Sequence, residues 1–78
     1  MRILGIDPGY AIIGWGVLDY KGNKFSVVDY GAITTQAKTP FPLRLQMIYT
    51  DMIGLFDTYH PEVMSMEKLF YNLSLIHI

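Results

Sequence analysis

The 78-residue chain contains no cysteine and no excess of basic residues. Without cysteine it can form neither a disulfide nor a thiolate metal site, so any bound metal would be held by oxygen or imidazole, and the chain suits a reducing compartment. Carboxylate-led sites of that kind favour Mg²⁺, Ca²⁺ or Mn²⁺. Six Lys and Arg stand against seven Asp and Glu, for a net charge of −1, whereas nucleic-acid-binding domains usually carry a basic surface. If the protein binds DNA, most of the positive surface lies elsewhere.

Long apolar runs are also lacking, and none approaches the roughly 20 residues of a membrane span, so no membrane contact is expected. Hydrophobic residues nevertheless make up 51% of the chain. A chain this short buries only about 60% of the surface that it exposes when unfolded. We therefore expect a partner or further sequence to cover part of the apolar surface.

Hydrophobic periodicity and turn residues predict the order strand, strand, strand, helix, strand. The first strand covers residues 2–6, and Asp7 should prolong it, because Pro8 biases the preceding residue to extended geometry. The helix has Pro42 in its first turn and ends at His60-Pro61, since proline cannot continue it. The predicted strands cover residues 2–6, 12–20, 25–34 and 63–66.

Two of these elements have distinct faces. In the second strand Ile13, Trp15 and Val17 share one face, while Gly14 and Gly16 share the other, and paired glycines in a strand mark a bulge or a close backbone approach. The helix has Arg44 among its polar residues, and its predicted apolar stripe consists of Leu45, Ile48, Met52, Leu55, Phe56 and Tyr59.

Two acidic residues lie at the ends of predicted strands. Asp7 ends the first strand and Glu67 ends the fourth. A helical crossover can return the fourth strand parallel to the first, and neighbouring strands lie about 4.8 Å apart. Both carboxylates would then emerge at one end of the sheet, where they could share one or two metal ions. The alternatives are that Asp7 only forms an Asp-Pro-Gly turn and that Glu67 opens a helix or lies in solvent.

Three further residues have a structural and a functional interpretation. His60 is placed to interact with helix-end carbonyls, an interpretation preferred to metal binding. Trp15 is assigned to the core in preference to a base-stacking role. Phe70 and Tyr71, which follow Glu67 closely, could stack on unpaired bases, but packing against the sheet edge or a further helix is preferred from the residues alone.

Several segments occur together in one register between residues 1 and 72. They are ILGIDPG (3–9), GWGV (14–17), YGAITT (30–35), PLRL (42–45) and EKLFYN (67–72). This ordered set resembles the opening of the RuvC family of Holliday-junction resolvases.

The resemblance implies an α/β, ribonuclease-H-like fold and a homodimer that nicks four-way junction DNA in the bacterial cytoplasm, with RuvA and RuvB as partners in branch migration. It implies that Asp7 and Glu67 are catalytic metal ligands and that Phe70 inserts among DNA bases. The implied cofactor is Mg²⁺, two ions per active site, with Mn²⁺ as a possible substitute. One ion would generate the attacking hydroxide and the other would stabilise the leaving 3′ oxygen.

The family pattern continues beyond this sequence. A further strand, several helices, the dimer helix and a final pair of acidic positions are expected to follow, so we expect the 78-residue polypeptide alone to be inactive. Residues 1–72 are interpreted as the N-terminal part of a nuclease domain. Residues 73–78 match one reading frame of a transposon mosaic-end adaptor, and we expect them to be a non-native tail in which His77 has no role.

Two other functions are compatible with a strand that ends in Asp and glycine. A YqgF-like RNA-processing nuclease shares this feature, but the long strand meander and the EKLF segment argue against it. Actin-like and Hsp70-like ATPases place a phosphate-binding turn there. Those turns usually offer a hydroxyl or lysine soon after the glycine. Here residues 10–13 are Tyr-Ala-Ile-Ile and offer only a tyrosine, which argues against nucleotide binding.

Overall fold

The protein is described by a computed structural model that covers residues 1–9, 12–36, 38–66 and 69–73, with residues 69–71 described by their backbone alone. The described part ends before most of the predicted tail, so the boundary at residue 72 stays a prediction. The elements in chain order are β1 (Arg2–Asp7), β2 (Ile12–Lys21), β3 (Lys24–Thr34), α1 (Phe41–Tyr59), β4 (Val63–Met66) and β5 (Leu69–Asn72).

The strands form one mixed sheet in the order β3-β2-β1-β4-β5. The pair β1 and β4 is parallel, and the other neighbouring pairs are antiparallel. This confirms the predicted α/β architecture of a three-stranded meander, a helical crossover and a strand parallel to the first.

A two-residue turn joins β2 to β3. Gly22 and Asn23 both have positive φ, 59° and 63°, and they lie between the paired residues Lys21 and Lys24. Positive φ at both positions matches the right-handed twist of the flanking strands, so the turn sets the register of the hairpin.

The strand β5 is an addition to the four strands that the sequence predicts, and the further strand expected beyond this sequence stays a prediction. Residues 69–72 pair antiparallel with β4, and Met66 pairs directly with Leu69. Only two residues lie between these paired positions, and neither is a glycine or proline. Without such punctuation the short hairpin has no composition signal.

The helix α1 begins and ends where the sequence predicts. Pro42 lies in its first turn, and His60 ends it in the left-handed conformation, with φ 50°. The backbone N–H of His60 donates to the carbonyl of Phe56 at 2.9 Å, so His60 caps the helix through its backbone, while the predicted interaction of its side chain with helix-end carbonyls stays a prediction. Within the described part of the chain, no helix combines the length and the apolar character needed to cross a membrane.

The buried stripe of α1 differs from the prediction at its N-terminal end. Leu45 is 50% exposed, whereas Arg44 is buried with 7% of its surface exposed. The segment after β3 is the reason, because the Arg44 guanidinium donates through Nη2 to the Gln36 carbonyl at 3.2 Å and lies under that segment. The remaining stripe residues are half-buried as predicted, namely Ile48, Met52, Leu55, Phe56 and Tyr59.

The core lies between α1 and one face of the sheet. Leu4 and Val17, which are cross-strand neighbours on β1 and β2, are fully buried, and Ile33 of β3 is 4% exposed. Trp15 packs its ring against Tyr59 of α1, with 5.8 Å between ring centroids. Trp15 therefore belongs to the core, as predicted.

Gly14 and Gly16 of β2 lie on the opposite face of the sheet. The strand register is regular through Gly14 and Gly16, and the bulge lies instead between Val17 and Leu18, where Val28 has no opposite residue. The prediction of a bulge at Gly14 and Gly16 is therefore wrong. Because these two residues have no side chains, the backbone of β2 is uncovered beside β1.

Candidate functional site

Asp7 is the last residue of β1, at an exposed strand end. It pairs with Gly14 of β2, and Pro8 and Gly9 follow it. A Cβ at Gly9 would lie 2.4 Å from the carbonyl oxygen of Ile12, a distance that no side chain tolerates. Glycine therefore permits the tight turn that leaves the Asp7 carboxylate at the rim of the sheet.

A shallow depression of about 410 Å³ lies beside Asp7 on the face opposite α1. Gly5, Gly14, Gly16 and Ser65 contribute the open-face positions of its lining, and a Cβ at Gly16 would meet nothing within 4 Å. Because three neighbouring positions carry no side chain, the backbone of β1 and β2 is accessible there. A bulky, extended ligand can approach the Asp7 carboxylate across this surface.

The register of β1 and β4 bears on the second acidic residue. Gly5 pairs with Ser65 and Ile6 with Met66 in parallel register. The next residues in sequence are Asp7 and Glu67. Glu67 lies outside the described residues, so its predicted place beside Asp7 stays a prediction.

Phe70 is described by its backbone only, within β5. Its predicted insertion among DNA bases lies outside what the structure describes. Likewise, among the described residues no group of three or more His, Asp or Glu side chains forms a metal-binding cluster.

Asp7 itself fits the role of one ligand of a hard cation. Its carboxylate is exposed, and among the described residues no side chain forms an ion pair or hydrogen bond with it. Its backbone is held in the paired strand β1, so the oxygen donors are presented from a rigid element. Carboxylate oxygens on a rigid element are the ligands that Mg²⁺ and Mn²⁺ prefer.

A charged cluster at the other end of β1 has a structural role. The Arg2 guanidinium donates from Nε and Nη2 to the two oxygens of Asp19, at 2.8 and 3.0 Å, and from Nη1 to the carbonyl of Tyr59 at 3.0 Å. The hydrogen bond from Arg2 lowers the pKa of Asp19. These contacts tie the end of α1 to the sheet.

The sequence prediction did not include this cluster. Arg2 and Asp19 are paired positions on neighbouring antiparallel strands. The signal is therefore visible only once the register of β1 and β2 is known.

A second polar contact joins β3 to α1. The Tyr59 hydroxyl donates to the Asp29 carboxylate, while the backbone N–H of Tyr30 donates to the other carboxylate oxygen at 2.8 Å. These two donors lower the pKa of Asp29, and the same carboxylate raises the pKa of Tyr59. The contact also holds the Tyr59 ring against Trp15.

Comparison with known proteins gives one consistent result. The family described as "Crossover junction endodeoxyribonuclease RuvC" matches residues 3–75. A protein of that name from Brevibacillus brevis is 56% identical over 72 residues, which cover 92% of this chain and 43% of the relative. One from Alkaliphilus metalliredigens is 51% identical over 72 residues, which cover 92% of this chain and 44% of the relative.

Solved structures give the same fold. "T. thermophilus RuvC in complex with Holliday junction substrate" matches with a TM-score of 0.78 and 27% identity, over 91% of this chain and 46% of the other. A further Thermus thermophilus RuvC structure matches with a TM-score of 0.77 and 25% identity, over 85% of this chain and 44% of the other. The chain thus spans less than half the length of these proteins, and the matches favour the resolvase interpretation over the RNA-processing and ATPase alternatives.

Proposed function

Because the chain belongs to the RuvC family of crossover junction endodeoxyribonucleases, we propose that the whole protein nicks four-way DNA junctions by metal-dependent phosphodiester hydrolysis. The single observation that carries the proposal is the family match over residues 3–75, within which Asp7 ends a central strand. A relative of known structure is named as a complex with a Holliday junction substrate, which supports this choice of DNA.

Asp7 is the proposed metal ligand and catalytic residue of the described part. Its exposed carboxylate and the bare surface at Gly5, Gly14 and Gly16 support this role, because a DNA strand needs room to bring a phosphate next to the metal. Mg²⁺ is the proposed ion, two per active site, with Mn²⁺ as a substitute. A divalent ion would supply Lewis-acid activation of water and of the phosphate.

The residues of this chain have separate tasks in the proposed reaction. The Asp7 carboxylate would hold the divalent cation at the end of the sheet. Glu67 is proposed as a second ligand because it follows Met66 on the parallel neighbour β4. The glycine surface admits the DNA backbone. Phe70 is proposed to stack on unpaired bases near the crossover.

Further partners are part of the same proposal. We propose a homodimer that works with RuvA and RuvB in the bacterial cytoplasm, as the family resemblance implies. We also propose that the 78-residue polypeptide alone does not cleave DNA, because two of the four acidic positions implied by the resemblance are not in it.

Replacement of Asp7 by Asn in the full-length protein tests the site. Asn keeps the shape of the side chain but removes the negative charge that a divalent cation requires. We expect cleavage of a synthetic four-way junction to be lost, while junction binding measured without divalent metal stays within about twofold of the wild type, because DNA affinity is spread over many phosphate contacts.

The matched control is Asp57→Asn, the same carboxylate-to-amide change at an exposed position of α1. It should cleave like the wild type. Equal cleavage by Asp7→Asn and Asp57→Asn would refute the assignment of Asp7, and a wild-type protein that leaves junctions intact would refute the proposed function.

A further inference from the structure

The geometry points to Ser65 as a further substrate-binding residue of the proposed active site, whose hydroxyl donates a hydrogen bond to a non-bridging oxygen of the scissile phosphate. This inference rests on the proposed function of Asp7. It adds a neutral hydrogen-bond donor to a site whose other proposed members are carboxylates and an aromatic residue.

The strand register places Ser65 on the same face as Asp7. Ser65 pairs with Gly5 across β4 and β1, and Asp7 lies two residues after Gly5. Since side chains two residues apart in a strand share a face, Ser65 and Asp7 are diagonal neighbours on the face opposite α1. Both line the same depression.

The surroundings leave the hydroxyl accessible. On the β1 side its lateral neighbour Gly5 has no side chain, and Gly16, which pairs with Gly5 on the next strand, has none either, while on the other side Ser65 pairs with Phe70 of β5. Ser65 is half-buried, and among the described residues its hydroxyl has no hydrogen-bond partner. A donor that borders the bare positions Gly5 and Gly16 is available to a ligand that lies over them.

The spacing suits a phosphate group. Diagonal positions on neighbouring strands lie about 7–8 Å apart, so a single bridging group fits between the two side chains. A phosphate presents several oxygens within a few ångströms, so one oxygen can accept from Ser65 while another faces the cation held by Asp7. A hydroxyl donates well to an anionic oxygen, whereas a carboxylate in the same place would repel it.

The surrounding sequence also sets Ser65 apart. It is the one polar residue of the strand Val63–Met66, and the neighbouring Met64 and Met66 occupy the helix-facing side. A hydroxyl is therefore not needed to satisfy any described backbone or side-chain group. Substrate contact gives it a role that packing does not.

The test uses Ser65→Ala in the full-length protein, with single-turnover cleavage of a four-way junction at saturating enzyme. A hydrogen bond to a charged group is worth enough that its loss should slow cleavage by about tenfold or more. Junction affinity without divalent metal should stay within about twofold. Ser65→Thr keeps the hydroxyl on a β-branched residue that suits a strand, and it should cleave within about threefold of the wild type.

A phosphorothioate at the scissile phosphate separates contact from structure. If Ser65 donates to one non-bridging oxygen, replacing that oxygen by sulfur removes the same hydrogen bond. On that diastereomer Ser65→Ala should therefore slow cleavage much less than on the ordinary junction. Equal slowing on both diastereomers and on the ordinary junction would overturn the inference.

Ser26→Ala is the matched control. Ser26 is an exposed β3 residue that pairs with Asp19 at the other end of the sheet, and its replacement should leave cleavage unchanged. Wild-type cleavage together with an unaltered rate in Ser65→Ala would refute the role of Ser65 and leave the proposed function standing. If the wild type itself does not cleave, both fail.

Discussion

Asp7 and Gly14 are paired positions of β1 and β2, and a Cβ at Gly14 would lie 3.7 Å from the Cβ of Asp7. That distance is ordinary van der Waals contact, so alanine fits there. A β-branched side chain would extend into the space that the carboxylate and its ligand need.

Gly14→Val should therefore impair the proposed active site without unfolding the sheet. We expect junction cleavage to fall by about tenfold or more, since a displacement of about 1 Å at a reacting centre costs that much. The measurement is single-turnover cleavage, with far-UV circular dichroism to show that the fold persists. Gly14→Ala is the control and should retain most activity, and a fully active Gly14→Val would contradict the crowding argument.

Gly31→Ala tests the packing of the core. A Cβ at Gly31 would lie 2.8 Å from Cζ2 of Trp15, well inside contact distance. We expect the free energy of unfolding to fall by about 1–3 kcal/mol, the usual cost of overpacking, as measured by urea titration.

The control for Gly31→Ala is Gly16→Ala on the open face, where nothing lies within 4 Å of the added Cβ. It should leave stability unchanged or raise it slightly. A second variant, Gly31→Ala with Trp15→Phe, should recover part of the loss because the smaller ring vacates the space. If Gly31→Ala is as stable as the wild type, the close approach of the indole is wrong.

The Arg2–Asp19 ion pair predicts a dependence of stability on pH. Its hydrogen bond lowers the pKa of Asp19 in the folded protein, so the pair's contribution is present above the unfolded pKa of about 3.9 and is lost as pH falls through the folded value. The stability difference between wild type and Asp19→Asn should shrink as the solution is acidified below pH 4.

The same pair can be followed directly by NMR titration of the Asp19 carboxyl group. Arg2→Gln removes the charge and the paired donors, so the pKa of Asp19 should rise towards its ordinary value. An Asp19 pKa that does not respond to Arg2→Gln would show that the ion pair does not form in solution.

The sequence predicted those parts of the fold that depend on local signals. Pro42, His60 and Pro61 located α1, and the alternation around Trp15 assigned the two faces of β2. Asp7 was identified because a strand, a carboxylate and a turn follow one another directly.

The parts that the sequence did not predict depend on non-local contacts. The burial of Arg44 depends on the segment around Gln36 that covers it, and the Arg2–Asp19 pair depends on strand register. The hairpin between β4 and β5 has no glycine or proline to indicate it. A lone serine in an apolar strand gives no functional signal by itself, and Ser65 can be placed near Asp7 only when its pairing with Gly5 is known.

The open edge of the sheet predicts self-association of the 78-residue polypeptide. β3 is an edge strand of 11 residues, and Val27 and Tyr30 on it are 67% and 77% exposed. Long exposed edges pair with other chains, and an introduced charge opposes this pairing. Light scattering should show association that Val27→Lys reduces and that Tyr49→Lys, on exposed α1, does not; a monomeric polypeptide would contradict this expectation.

The most direct measurement of the central claim is metal-dependent cleavage by the full-length variant Asp7→Cys. The 78-residue sequence has no cysteine, so the introduced thiol is its only one. A thiolate binds softer ions such as Cd²⁺ far better than Mg²⁺. If Asp7 holds the metal that serves cleavage, Asp7→Cys should be inactive with Mg²⁺ and should recover junction cleavage when Cd²⁺ is added, while Asp7→Asn stays inactive with both ions. Cleavage by Asp7→Cys and Asp7→Asn at the wild-type rate with Mg²⁺ would contradict the account.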